Sequence, residues 1–253
     1  MSKVHFVGAG PGAPDLITLR GKELLEQADV IIYAGSLVPV VLLDHARPAC
    51  ETHNSALMTL DEIIAVITAA AAENKRVVRL HTGDPSIYGA IREQIDRLSA
   101  LNIDYEVCPG VSSFCAAAAA LKAEYTLPGI SQTVIITRVE GRTPMPEKES
   151  LKALAAHGAT IVLFLSAGLL EKAVADLTEG GYSPETPAAI VANASWPEEQ
   201  IIRCPLSEVA RSAALHNIDK TALICVGGFL GDDYELSKLY AADFSTGYRE
   251  ATK

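Results

Sequence analysis

The residues best suited to chemistry stand in three turns. The first is 8-GAGPGAPDLIT-18, directly after the apolar run 4-VHFV-7. Gly8, Gly10 and Ala13 satisfy the relaxed G-x-G-x-x-G/A spacing with which dinucleotide-binding folds bring a main chain against a pyrophosphate. Two prolines oppose that chemistry. Pro11 has no N–H where a phosphate needs donors, and Pro14 turns Ala13 away from helical backbone, so no helix N-terminus can face an anion before Thr18. The next strand-like run ends in 33-YAG-35, with no carboxylate for ribose hydroxyls. The turn is then either a plain strand-to-helix connection or the wall of a different ligand's site.

The second turn, 81-HTGDPSIYG-89, follows 76-RVVRL-80, at the carboxyl end of a strand where open α/β sheets place ligands. Gly83 permits close main-chain approach, Pro85 stiffens the turn, and Asp84 can accept a hydrogen bond from a ligand or cap the following helix. His81 could be a ligand or a base, and equally a hydrogen-bonded structural histidine. In the third turn, 138-RVEGRTPMPE-147, Arg138 and Arg142 flank Glu140. Such arginines can grip a carboxylate in two-pronged fashion or form an ordinary solvated loop. The cysteines Cys50, Cys108, Cys115, Cys204 and Cys225 show no C-x-x-C pair. They read as small buried hydrophobes of a reducing compartment, with no metal site expected.

These turns need elements to hold them. Runs 4–7, 29–34, 76–80 and 104–108 read as strands, alternating with helical patterns over 19–28, 60–75, 87–101 and 113–123. That alternation predicts a largely parallel sheet. Thr18 is positioned to cap the first helix, with Leu24 and Leu25 toward the sheet. A second series places strands at 133–137, 159–165, 188–192, 200–204 and 221–228, with helices over 147–157, 169–180 and 206–216. The connector 193-NASWPEE-199 leaves no room for a crossover helix, so the strands it joins must be antiparallel. The expectation is two α/β domains, residues 1–112 with a largely parallel sheet and 113–253 with a mixed one.

Composition agrees with a well-packed enzyme or binding protein. The 253 residues are 49% hydrophobic and 21% charged, ordinary globular usage. A formal net charge of −10 disfavours a broad nucleic-acid surface. No apolar run reaches the length of a membrane span and nothing before Val4 resembles a signal peptide, so a cytoplasmic location is expected.

The segments 8-GAGPGAPDLIT-18, 29-DVIIYAGSLV-38, 79-RLHTGDPSIYG-89 and 109-PGVSSF-114, in this order and spacing, resemble the tetrapyrrole methyltransferase family. Further segments, 131-SQTVIITRVEGRTPMPE-147, 193-NASWPEE-199 and 238-KLYAADFSTGYR-249, extend the resemblance over the whole chain and narrow it to one branch. The resemblance implies methyl transfer from S-adenosylmethionine (SAM) to a tetrapyrrole carbon, in a cleft between two α/β domains of a homodimer. It implies cofactor contacts at Pro11, Thr82, Gly83, Asp84, Ile87, Ser112, Ser113, Ser166 and Ala194. It also places Gly10 and Gly12 beside the substrate. Tetrapyrroles of this kind carry many acetate and propionate groups, and Arg142 is the cation expected to meet them. Some family members have an acid after the second strand, whereas this sequence has 33-YAGSLV-38, so no catalytic base is carried over. A dinucleotide oxidoreductase and a non-catalytic tetrapyrrole carrier are the readings from other classes.

Overall fold

The computed structural model describes residues 3–252. These divide into two compact units, one of residues up to Ala117 together with Asn193–Glu199, the other of Ala118–Ala192 and the chain from Gln200 onward.

In the first unit β1 (Lys3–Gly8), β2 (Val30–Tyr33), β3 (Glu51–Asn54), β4 (Val77–His81) and β5 (Asp104–Cys108) form an all-parallel sheet in the order β3-β2-β4-β1-β5. Helices on both faces make β4 buried at every position, as parallel strands require. On one face α1 (Leu19–Gln27) and a 3₁₀ turn (Val40–His45) bring Leu25 and Leu42 against Val7, Ile31, Val78 and Leu80. On the other, α2 (Leu60–Ala72) and α3 (Arg92–Ala100) bring Ile63, Ile67 and Leu98 against Val4, Phe6, Ile32 and Val77. Thr18 caps α1 as expected, its hydroxyl accepting from Gly21 N at 3.0 Å. Leu25 is fully buried and Leu24 partly so.

Two features depart from the sequence reading. The strand β3 has no apolar alternation, because it is a short edge whose side chains Glu51 and Thr52 face solvent. Helical periodicity extends back to Ile87, yet α3 starts only at Arg92. Tyr88 (φ 55°) and Ala90 (φ 49°) are left-handed, which stops any helix there and leaves residues 82–91 as a long loop after β4.

Within α4 (Ser113–Leu121) the chain passes to the second unit. There β6 (Val134–Arg138), β7 (Thr160–Phe164), β8 (Pro187–Ala192), β9 (Gln200–Pro205) and β10 (Ala222–Val226) are ordered β6-β7-β10-β8-β9. The pair β6–β7 is parallel and the other pairs are antiparallel, giving the mixed sheet. As the short connector requires, β8 and β9 pair antiparallel from Pro187 opposite Pro205 to Ala192 opposite Gln200. Helices α5 (Leu151–Ala155), α6 (Leu170–Glu179) and α7 (Val209–Leu215) bury Leu151, Leu177 and Val209 against Ile161, Leu163, Ile190 and Ile224. Among the described residues no helix is long and apolar enough to cross a membrane.

One face of β4 changes character along its length. Val77 belongs to the apolar layer under α2 and α3, but Arg79 and His81, two and four residues on, point the same way. Arg79 is 5% exposed and His81 4%. The Arg79 guanidinium donates to Gln94 Oε1 at 3.1 Å and to the carbonyls of Ile32 at 3.1 Å and Leu80 at 3.4 Å. Burial lowers its pKa to about 10, so it stays charged at neutral pH. Burial, with the Arg79 charge adding to it, lowers His81 to about 3, so the imidazole is neutral. The unfolded chain, with His81 near 6.5, binds a proton that the fold refuses between pH 6.5 and 3. Stability therefore falls as pH falls through that window, His81 contributing up to about 1.4 kcal/mol per pH unit. His81→Phe, which keeps a ring beside Phe6, should flatten the unfolding free energy between pH 4 and 6 by nearly one proton in urea titrations. An unchanged slope would show that His81 titrates freely.

Candidate functional site

Because β4, β1 and β5 are adjacent and parallel, the loops after them leave the same carboxyl edge of the first sheet side by side. They touch through main chain. Gly10 and Gly83 exchange hydrogen bonds, Gly83 N to Gly10 O at 2.8 Å and Gly10 N to Gly83 O at 3.3 Å. A Cβ on Gly110 would lie 2.2 Å from Gly83 O and 2.7 Å from Gly8 Cα, so this crossing admits only glycine.

Asp84 ties the same loops together. Its Oδ1 accepts from Ser86 N at 2.8 Å and from the Ser86 hydroxyl, while Oδ2 accepts from Gly110 N at 2.8 Å. It does not cap α3, whose N-cap is Ile91 with no side-chain bond. Partial burial is the largest influence on this carboxyl and would raise its pKa. The bonds from the Ser86 hydroxyl and the Gly110 and Ser86 amides outweigh that and hold it below the usual value.

Beside this crossing a cavity of about 270 Å³ opens. Thr82, Ile87, Tyr88 and Glu93 line it from the loop and α3, Ala34 and Leu37 from the chain after β2, and Arg79 and His81 from β4. His81 Nε2 has no hydrogen-bond partner among the described residues, so the histidine is not the satisfied structural group it could have been.

The glycine turn itself is braced from far along the chain. Trp196 Nε1 donates to Pro11 O at 3.0 Å, and Ala13 N donates to Ser195 Oγ at 3.0 Å. The indole covers Gly12, where a Cβ would lie 2.0 Å from Trp196 Cδ1. The amide that a dinucleotide turn would offer to phosphate is thus already used, and Pro11 has none.

Of the residues named from sequence, Gly10, Pro11, Gly12, Thr82, Gly83, Asp84, Ile87, Ser112, Ser113 and Ala194 all lie in the first unit. Ser112 and Ala194 are buried and Ser113 opens α4. Ser166 and Arg142 lie in the second unit, after β7 and β6. The Ser166 hydroxyl is fully engaged, donating to Phe164 O at 2.6 Å and accepting from Val139 N at 2.8 Å. Arg138 folds back on its own loop, donating to Thr143 O at 3.2 Å and Pro144 O at 2.9 Å. Arg142 is exposed on that loop. Sequence reasoning passed over Arg79, Gln94, Ser195 and Trp196; the last could be suspected only as the one tryptophan in the chain. No cluster of histidine, cysteine and acidic side chains able to hold a metal occurs among the described residues.

The family model described as Tetrapyrrole (Corrin/Porphyrin) Methylases matches residues 3–210. The cobalt-precorrin-4 C(11)-methyltransferase of Methanocaldococcus jannaschii is 56% identical over 252 residues, covering 99% of this chain and 97% of that protein. An X-ray structure of a cobalt precorrin-4 methyltransferase of cobalamin biosynthesis superposes with a TM-score of 0.89 at 46% identity, over 91% of this chain and 96% of the other. A uroporphyrin-III C-methyltransferase from Thermus thermophilus, solved with S-adenosylhomocysteine, gives a TM-score of 0.75 at 28% identity over 90% and 93%. The turn, loop and strand order that carried the resemblance in sequence thus recur in the fold, and the chain belongs to the tetrapyrrole (corrin/porphyrin) methylases.

Proposed function

We propose that this protein transfers the methyl group of SAM to carbon 11 of precorrin-4 or cobalt-precorrin-4, a step in building the corrin ring of cobalamin. The observation that carries this reading is end-to-end similarity, 56% over 252 residues, to a protein named for that reaction. The braced, phosphate-refusing glycine turn beside the 82–91 loop supports SAM over a dinucleotide. So does a relative solved with the demethylated cofactor. The protein works in the cytoplasm as a homodimer.

The residues present suit this cofactor. The glycine crossing offers main-chain groups at close range, and the cavity beside it is lined by Thr82 and Ile87. Pro11, Thr82, Gly83, Asp84, Ile87, Ser112, Ser113 and Ala194 of the first unit would hold SAM. Gly10 and Gly12 would face the tetrapyrrole. SAM supplies an electrophilic sulfonium methyl, so a nucleophilic ring carbon needs alignment more than a strong base. Alignment and removal of water can account for about 7–11 kcal/mol of a barrier. Asp84 contributes by fixing the loops, and no side chain is assigned as acid or base.

The polyanionic substrate must approach a chain of net charge −10, so local cations have to offset long-range repulsion. Arg142, on a loop stiffened by Pro144, supplies one.

Calorimetry should show binding of S-adenosylhomocysteine and none of NADH; the reverse would overturn the reading. Assays with metal-free and cobalt-loaded substrate, with the product's methyl position read by NMR, separate carbon 11 from a neighbouring ring carbon. Asp84→Ala should weaken the cofactor and lower the melting temperature together. Each charge-assisted bond is worth about 1.5–3 kcal/mol, and this carboxylate braces two loops. Cofactor affinity unchanged in a folded Asp84→Ala variant would remove Asp84 from the site. Arg142→Ala should raise the KM for the tetrapyrrole severalfold, leave cofactor affinity unchanged, and lose its effect as salt rises. Equal kinetics at low salt and subsaturating substrate would return Arg142 to an ordinary solvated loop.

A further inference from the structure

We infer that Trp196 and Ser195 are positioning residues for the cofactor: they set the Gly10–Ala13 turn in the shape against which SAM is held. This rests on the SAM reading above. The turn has two flanks. On one, Gly10 is fixed by its paired hydrogen bonds with Gly83. On the other, Pro11 O and Ala13 N are taken by Trp196 Nε1 and Ser195 Oγ. Between them the flat indole lies on Gly12 at a distance no side chain at position 12 would permit.

The holding segment is itself over-determined. Trp196 N donates to Asn193 O at 2.9 Å, Glu199 N to Trp196 O at 3.1 Å, and Ser195 N to Glu199 Oε2 at 2.6 Å. Asn193 (φ 49°) and Ser195 (φ 67°) are both left-handed without being glycine. Such backbone persists where the surroundings enforce it, and it clusters at working sites. Here it delivers one indole N–H and one hydroxyl to a turn that would otherwise be held on a single side. Pro11 and Ala194, both expected at the cofactor, lie directly beside these bonds.

The single tryptophan makes the idea measurable. Wild type, Trp196→Phe, Ser195→Ala, Gly12→Ala, Trp196→Ala and the Gly12→Ala/Trp196→Ala double variant would be compared. The readouts are calorimetry with S-adenosylhomocysteine, thermal melting and steady-state kinetics. Trp196→Phe keeps an aromatic ring and removes the donor. It and Ser195→Ala should each weaken binding about five- to tenfold and raise the KM for SAM, with kcat at saturation changed less than twofold. Gly12→Ala should weaken binding more than tenfold in the wild type but less than twofold when Trp196 is already alanine, because the clash is with the indole. Tryptophan emission of the wild type should shift on saturation with the product cofactor.

Folded Trp196→Phe and Ser195→Ala proteins with wild-type affinity would overturn the inference, whether or not they melt earlier. An equal cost of Gly12→Ala in both backgrounds would overturn it too. Should Trp196→Phe fail to fold, Ser195→Ala and the Gly12→Ala pair decide. A wild type that binds no S-adenosylhomocysteine would instead overturn the SAM reading, and this inference with it.

Discussion

Everything at the carboxyl edge of the first sheet depends on three main chains crossing at contact distance. Gly8 and Gly110 sit where any Cβ would strike a neighbouring backbone, and Gly83, whose carbonyl both of them meet, holds a left-handed φ of 61°. Such an approach removes side chains from the place where they are usually the tools of a site, leaving amides, carbonyls and whatever can be braced around them. Asp84 is one brace, joining the second loop to the third. The segment carrying Ser195 and Trp196 is another, holding the first. Positioning by backbone suits a reaction whose leaving group comes with the cofactor, because the protein then needs accuracy of placement more than acid–base strength.

Beneath the crossing, the sheet spends stability on polarity. A guanidinium buried as deeply as Arg79 is tolerated only when its donors find acceptors. Two strand carbonyls and Gln94 provide them, and Gln94 Nε2 in turn donates to Ala90 O at 3.0 Å. The chain of contacts runs from the middle of β4 to the left-handed end of the loop after it, so core and loop share one hydrogen-bond network. His81 completes the polar floor as a neutral ring, kept so by burial and by the charge two residues away.

Much of this was legible in the residues. Glycine and proline act locally, so the turn at 8–18 could be denied to pyrophosphate from Pro11 and Pro14 alone. The brevity of 193–199 dictated the antiparallel pairing of β8 with β9, one of three antiparallel pairs in the mixed second sheet. What stayed hidden involves distant partners or override of a local pattern. Arg79 alternates with Val78 and Leu80 as a solvent-facing residue would, and only α2 and α3 bury it. The stretch from Ile87 to Ile91 has helical periodicity, yet Tyr88 and Ala90 turn left-handed under tertiary constraint. Edge strand β3 offers no apolar signal because it buries little. The partnership of Trp196 with Pro11 spans 185 positions, and no local spacing announces it.

That separation has a consequence for how the site comes into being. The glycine turn leaves the ribosome well before the two groups that hold its outer flank, which emerge 182 and 185 positions later. Chains fold as they are made, at about 5–20 residues per second, so the parallel sheet can assemble while this turn still lacks its clamp for about 10–40 seconds. Only when the strand pair around 193–199 has been synthesised does the turn acquire its final shape. This edge is therefore the last part of the first unit to be finished, and a nascent or truncated chain carrying a complete first sheet would still hold it unset.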